Sequence, residues 1–149
     1  MNLITPMLRL ITVGCLIAVA ATTAHAAEKI IPGPKGGKLL ENTPPRAEFF
    51  VEKDGKVVIT FYDAKLKPVP VAEQSLTVVA QAKRKATLEF EKKDGALVSK
   101  TPLPEGDAYS VVVQIKAKPD AKPQNLRFRY ETHACGECKR PEYACICGH

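Results

Sequence analysis

The chain has 149 residues, a length that suits one small domain, and its 22 Lys and Arg against 16 Asp and Glu give a formal net charge of +6. The basic residues are scattered, with one tight cluster at Lys83, Arg84 and Lys85, and no basic stripe is interleaved with aromatics. The composition therefore argues against a nucleic-acid-binding module. Scattered lysines are typical of solvated residues that discourage aggregation between strands, with an anionic surface partner as the alternative.

Residues 1–26 have the pattern of an export signal. A single charged residue, Arg9, precedes an apolar run over residues 10–21, and the small-x-small triplet at residues 24–26 fits a signal-peptidase site. The run is shorter than the ~20 apolar residues that a spanning helix needs, and no second apolar stretch follows. The sequence therefore predicts cleavage after Ala26 and a periplasmic or secreted chain that keeps no transmembrane segment.

The next segment, residues 27–45, is rich in proline and glycine and has hardly an apolar run. This composition predicts a linker or an extended, strand-like arm. The segment does not fit a phosphate-binding loop, because Pro32 stands where that motif requires its first glycine and Leu39 stands where it requires a hydroxyl.

From Arg46 onward, apolar and polar residues alternate with a period of two, as they do in half-buried strands. Asp54-Gly55 and Asp94-Gly95 each lie between β-rich runs, so each predicts a hairpin. Residues 66–70 are predicted to be a connection, because their prolines cannot donate to a strand ladder. The predicted strands cover residues 48–52, 57–62, 75–80, 87–91, 96–98, 109–115 and 126–130.

Seven short strands without a helical period predict an all-β fold, an antiparallel, immunoglobulin-like β-sandwich over residues 46–132, with an open barrel as the alternative. One face of each strand supplies the predicted core. The predicted inward-facing side chains are Phe49, Val51, Val57, Ile59, Phe61, Leu76, Val78, Leu88, Phe90, Leu97, Val111, Val113, Ile115, Leu126, Phe128 and Tyr130.

Residues 133–149 form a cysteine-rich tail. Cys135 and Cys138 have the two-residue gap with which a knuckle presents two sulfurs to one ion, and Gly136 relieves the tight backbone. Cys145 and Cys147 alternate, so in an extended segment both side chains point the same way. Four thiolates predict a site for zinc or copper(I), the ions that soft sulfur ligands select.

Two histidines flank these cysteines, and either His133 or His149 is a candidate to replace one sulfur ligand. Disulfide bonds are the alternative use of the tail, since an exported chain meets an oxidising compartment. Four cysteines allow three pairings, and the sequence does not choose among them.

The remaining chemistry of the chain gives little support for catalysis. Haem attachment requires a histidine directly after the Cys-x-x-Cys pair, but Lys139 follows Cys138. The aspartates fall in predicted turns, where this residue is common, and no nucleophile has a basic partner. The sequence therefore predicts that the chain is not an enzyme.

The order of several short motifs resembles the amino-terminal β-domain of periplasmic adaptor proteins of heavy-metal efflux pumps. The motifs are the Gly-Pro-Lys-Gly-Gly run at residues 33–37, Ala-Glu-Phe at 47–49, the Asp54-Gly55 hairpin, Phe-Tyr-Asp at 61–63 and Lys-Pro at 67–68. In the adaptors a histidine often stands at the position of Lys35. The resemblance implies an exported β-sandwich linked to metal handling, without the helical hairpin of an adaptor.

Two hypotheses follow from these patterns. The first is an exported metal-binding protein whose cysteine tail holds zinc or copper(I). The second is a non-catalytic β-domain stapled by disulfides that binds another envelope protein.

Overall fold

The computed structural model describes residues 30–40 and 45–148, so the predicted export signal and His149 lie outside the described residues. Within the described ranges, none of the helices has the length and apolar character needed to cross a membrane. Residues 30–40 and 45–148 form ten strands and one 3₁₀ helix. They are β1 (Lys38–Leu39), β2 (Arg46–Val51), β3 (Val57–Tyr62), β4 (Pro68–Val69), β5 (Ser75–Gln81), β6 (Lys85–Leu88), β7 (Phe90–Lys93), β8 (Ala96–Ser99), β9 (Tyr109–Lys116), β10 (Gln124–Tyr130) and the 3₁₀ helix Glu142–Ala144.

The strands form two antiparallel sheets that share one core, which confirms the predicted β-sandwich. One sheet has the order β1-β2-β3-β8-β7, with β4 paired to β3, and the other has the order β10-β9-β5-β6. All of the predicted inward side chains lie in the buried core or pack against it. The alternation of apolar and polar residues therefore identified the correct face of every strand that it covered.

Both predicted hairpins are present, but the prediction of one strand over residues 87–91 is wrong. Lys85–Leu88 pairs with β5 in one sheet, whereas Phe90–Lys93 pairs with β8 in the other, so the chain changes sheets at Glu89. Leu88 and Phe90 both face the core. Because the inward alternation continues through the change of sheet, periodicity alone does not detect it.

The prediction that residues 66–70 only connect two strands is also wrong. Pro68 and Val69 pair with Tyr62 and Phe61 at the end of β3. A proline is tolerated there because β4 is a short edge strand, and the ladder does not need the missing N–H. The turn before it is closed by Asp63, whose pKa is lowered mainly by the backbone N–H group of Lys67.

The segment before β2 is folded against the outer face of the larger sheet. Its loop surrounds the Glu48 carboxylate, which is fully buried and accepts hydrogen bonds from the backbone N–H groups of Lys35 at 2.9 Å and Gly37 at 2.8 Å. The Tyr62 hydroxyl donates to the same carboxylate at 2.6 Å, and burial together with this bond raises the pKa of Tyr62. The packing explains why β3 is buried on both faces, although the sequence pattern predicted one.

A substitution at Gly37 tests how closely this loop approaches the sheet. A Cβ atom at Gly37 would collide with the backbone carbonyl of Phe49, whereas a Cβ at Gly136 would meet no atom within 4 Å. We expect Gly37→Ala to lower the free energy of unfolding by about 1–3 kcal/mol through overpacking. Gly136→Ala is the control and should change it by less than about 0.5 kcal/mol. Equal effects in denaturant titrations would contradict the close approach.

Candidate metal centre

Tyr143 anchors the cysteine tail to the sandwich. Its side chain is buried, and its ring lies 5.3 Å from the ring of Tyr130, 6.1 Å from that of Phe49 and 6.5 Å from that of Phe128. The backbone N–H of Val51 donates to the Tyr143 hydroxyl at 3.3 Å. Burial raises the pKa of Tyr143 to about 12. The tail is therefore part of the folded domain, and the packing of Tyr143 fixes the position of the cysteines near it.

The first pair of cysteines lies on a short hairpin-like loop. Ala134 bridges to Pro141 in antiparallel fashion, and the N–H of Cys135 donates to the carbonyl of Arg140 at 2.8 Å. The N–H of Lys139 donates back to the carbonyl of Cys135 at 3.1 Å. Lys139 has a φ of 60°, a left-handed conformation that lets the chain turn back directly after Cys138. This loop is the knuckle that the two-residue spacing predicted.

The second pair follows the 3₁₀ helix. The N–H of Cys145 donates to the carbonyl of Glu142 at 3.0 Å and closes the helix, after which Cys145 adopts extended backbone angles. Extended backbone makes the side chains of Cys145 and Cys147 point the same way. The chain then turns at Gly148, which has a φ of 73°. The sulfurs of Cys145 and Cys147 thus face the loop that carries Cys135 and Cys138.

The four sulfur atoms of Cys135, Cys138, Cys145 and Cys147 all lie within 4.8 Å of one another. The Sγ of Cys135 is 3.4 Å from that of Cys145 and 3.8 Å from that of Cys147, and the Sγ atoms of Cys138 and Cys145 are 3.8 Å apart. Zinc–sulfur bonds of about 2.3 Å in a tetrahedron put sulfurs about 3.8 Å apart. The four side chains therefore form a group that can hold one metal ion.

Backbone N–H groups point at the sulfurs. The N–H groups of Ile146 and then Arg140 are the main reasons why the pKa of Cys138 falls to about 6. The N–H of Cys147 donates to the sulfur of Cys145 at 3.4 Å. Such donors favour the thiolate, which is the form that binds metal. Although the N–H of Cys147 acts to lower it, the pKa of Cys145 is raised by burial and by hydrogen bonds with the Cys135 and Cys138 sulfurs. Burial and then the Glu137 carboxylate also raise the pKa of Cys147.

The cluster lies at the surface of the domain. Cys135 is 2% exposed, whereas Cys138, Cys145 and Cys147 are each partly exposed. No disulfide bond joins any two of these four cysteines. An ion held here would have one buried ligand on the side of the core and three ligands that border solvent.

No protein-family model, no curated protein and no solved structure matches this chain. The resemblance to adaptor domains of metal efflux pumps therefore stays a prediction. The candidate metal centre is assigned from the geometry of its own side chains.

The two histidine candidates have different outcomes. His133 is exposed and does not belong to the group of four sulfurs, so the described structure does not bring it to the site. His149 lies outside the described residues.

Sequence analysis missed two residues, Tyr143 within the tail and Lys38 in the strand that packs near it. Tyr143 had a usable signal, because it is the one aromatic residue in a tail with few apolar side chains. Lys38 had none, since it is one of many scattered lysines and comes near the tail only through the pairing of β1 with β2.

Proposed function

We propose that this chain is an exported, non-catalytic metal-binding protein in which Cys135, Cys138, Cys145 and Cys147 hold one zinc ion, with copper(I) as the second ion that soft thiolates select. The observation that carries the proposal is the mutual approach of all four sulfurs to within 4.8 Å. A set of four thiolates favours zinc, which takes four ligands in closed tetrahedral sites.

The arrangement of the domain supports a role in holding and transferring an ion. The core is closed by strand residues and by Tyr143, so the sandwich has its own apolar interior apart from the cluster. Three of the four ligands border solvent, where a competing ligand can approach. Together with the resemblance to efflux adaptor domains, this favours a part in heavy-metal handling outside the cytoplasm.

The decisive measurement is made on protein recovered from the periplasm and purified without oxygen. We expect about one zinc per chain by elemental analysis and four reactive thiols after the metal is removed. Cobalt(II) in place of zinc should give the intense sulfur-to-metal absorption of a tetrahedral tetrathiolate site. His133→Ala is the matched control and should leave the metal content unchanged, because His133 is outside the cluster.

The opposite result has a clear signature. An ion-free protein with no reactive thiols, whose mass is four hydrogens below that of the reduced chain, would overturn the proposal. That outcome would favour a disulfide-stapled β-domain that binds another envelope protein. The 3.4 Å separation of the Cys135 and Cys145 sulfurs makes these two residues the first pair to examine for a bridge.

A further inference from the structure

Lys38 is a basic residue of the amino-terminal arm that the fold places beside the aromatic residues anchoring the cysteine tail. It lies in β1 directly opposite Phe49 of β2, so both side chains lie on the same face of the sheet. Phe49 contacts the ring of Tyr143, which is separated from Cys145 by one residue. The Lys38 ammonium is 5.7 Å from the ring centroid of Phe128, which also stacks on Tyr143. Lys38 therefore extends over the aromatic group that anchors the tail.

The position is electrostatically unusual for a lysine. Lys38 is partly buried, and this burial lowers the pKa of its ammonium, while the negative charge of Cys145 acts in the opposite direction. A partly desolvated ammonium is stabilised by an aromatic face and by nearby anions. The Phe128 ring is such a partner at 5.7 Å, and the negative charge of the cysteine cluster would be a second when its thiolates hold a metal ion.

A four-thiolate site has an excess of negative charge that such a cation can offset. Four thiolates bring four negative charges, and a divalent ion cancels two of them. The Glu137 carboxylate contacts Cys147 and adds to the negative side. Lys139 is exposed, and its ammonium donates to the carbonyl of Gly136 at 2.6 Å. Lys38 adds a positive charge from the amino-terminal arm, in addition to Lys139 and Arg140 of the knuckle itself.

We infer that Lys38 is an affinity-determining residue of the metal centre, whose ammonium offsets the excess negative charge of four thiolates around a divalent ion. The inference rests on the proposed function, because it requires the cluster to bind as thiolates. It adds a residue from the amino-terminal arm to a site whose ligands all come from the tail. The arm and the tail are then coupled through charge as well as through packing.

The test uses the full mature chain and zinc alone as the probe. The zinc dissociation constant of Lys38→Met, which keeps the length and the apolar stem of lysine, is measured by competition with a chromophoric chelator. We expect about tenfold weaker binding, as for other residues that support metal ligands from outside the coordination shell. Lys38→Arg should restore the affinity, and Lys38→Gln should repeat the loss if the methionine variant does not fold. Lys85→Met removes the same charge from an exposed position in β6 and should have no effect.

Two further observations separate charge from a structural role. The difference between wild type and Lys38→Met should shrink at high ionic strength, because salt screens the interaction of a partly exposed ammonium. The cobalt(II) absorption should keep its tetrathiolate form in the variant, because the four ligands are intact. Equal zinc affinities in wild type and Lys38→Met would overturn this inference alone. A wild-type chain that binds no zinc would overturn the proposed function and this inference with it.

Discussion

Replacing Cys135 with serine should reduce zinc affinity at least about a hundredfold while leaving the sandwich folded. Cys135 is the buried ligand, and its sulfur is close to two others, at 3.4 Å from Cys145 and 3.8 Å from Cys147. A serine hydroxyl does not ionise near neutral pH and is a hard donor that zinc and copper(I) bind poorly beside three sulfurs. Chelator competition measures the loss, and denaturant unfolding of the metal-free chains measures the fold.

His133→Ala is the control for Cys135→Ser, because it changes an exposed side chain outside the cluster. That variant should bind zinc as wild type does. If Cys135→Ser kept wild-type affinity and stoichiometry, the four sulfurs would not be acting as one site. Loss of the whole fold in the serine variant, with or without metal, would instead assign Cys135 to the core.

The sandwich was predictable from sequence because its signals are local. Alternation marks the buried face of each strand, and Asp54-Gly55 and Asp94-Gly95 mark the hairpins, where both Asp94 and Gly95 have positive φ angles as such turns require. The change of sheet at Glu89 was not predictable in this way. Leu88 and Phe90 both point inward, and only the identity of the neighbouring strand differs on the two sides of Glu89.

The cysteines of the site were also predictable, because the spacing of Cys135 and Cys138 and the alternation of Cys145 and Cys147 are properties of the chain itself. The residues that surround these cysteines were not predictable. Tyr143 fixes the tail by packing against aromatic side chains that are distant in sequence. Lys38 belongs to the amino-terminal arm and comes near the tail only in the folded chain. Contacts of this kind depend on tertiary packing, which local patterns do not encode.

Glu48 illustrates the same point with a single residue. In the alternating pattern of β2 it occupies the face opposite Phe49, where a charged side chain is normally solvated. It is fully buried because the amino-terminal arm folds over it and supplies two backbone donors, and because Tyr62 supplies a third. The composition of the arm, rich in glycine and proline, predicted irregular backbone but not the carboxylate that it surrounds.

Removal of the Glu48 carboxylate should strongly destabilise the domain. We expect Glu48→Ala to lower the free energy of unfolding by about 3 kcal/mol. The N–H groups of Lys35 and Gly37 and the Tyr62 hydroxyl lose their acceptor, and the buried N–H of Gly37 has no water to replace it. Denaturant unfolding of the metal-free chain measures the change without a contribution from the cysteine cluster.

Glu48→Gln and Glu91→Ala are the matched controls. The glutamine keeps one carbonyl acceptor for the loop and should lose about 1 kcal/mol, less than the alanine variant. Glu91 is exposed in β7, so its removal should change stability by less than about 0.5 kcal/mol. Because Lys38 follows the loop held by Glu48, loosening the arm should also weaken zinc binding in Glu48→Ala. If Glu48→Ala were as stable as Glu91→Ala, the arm would not depend on the buried carboxylate, and its link to the metal centre would have to come from β1 alone.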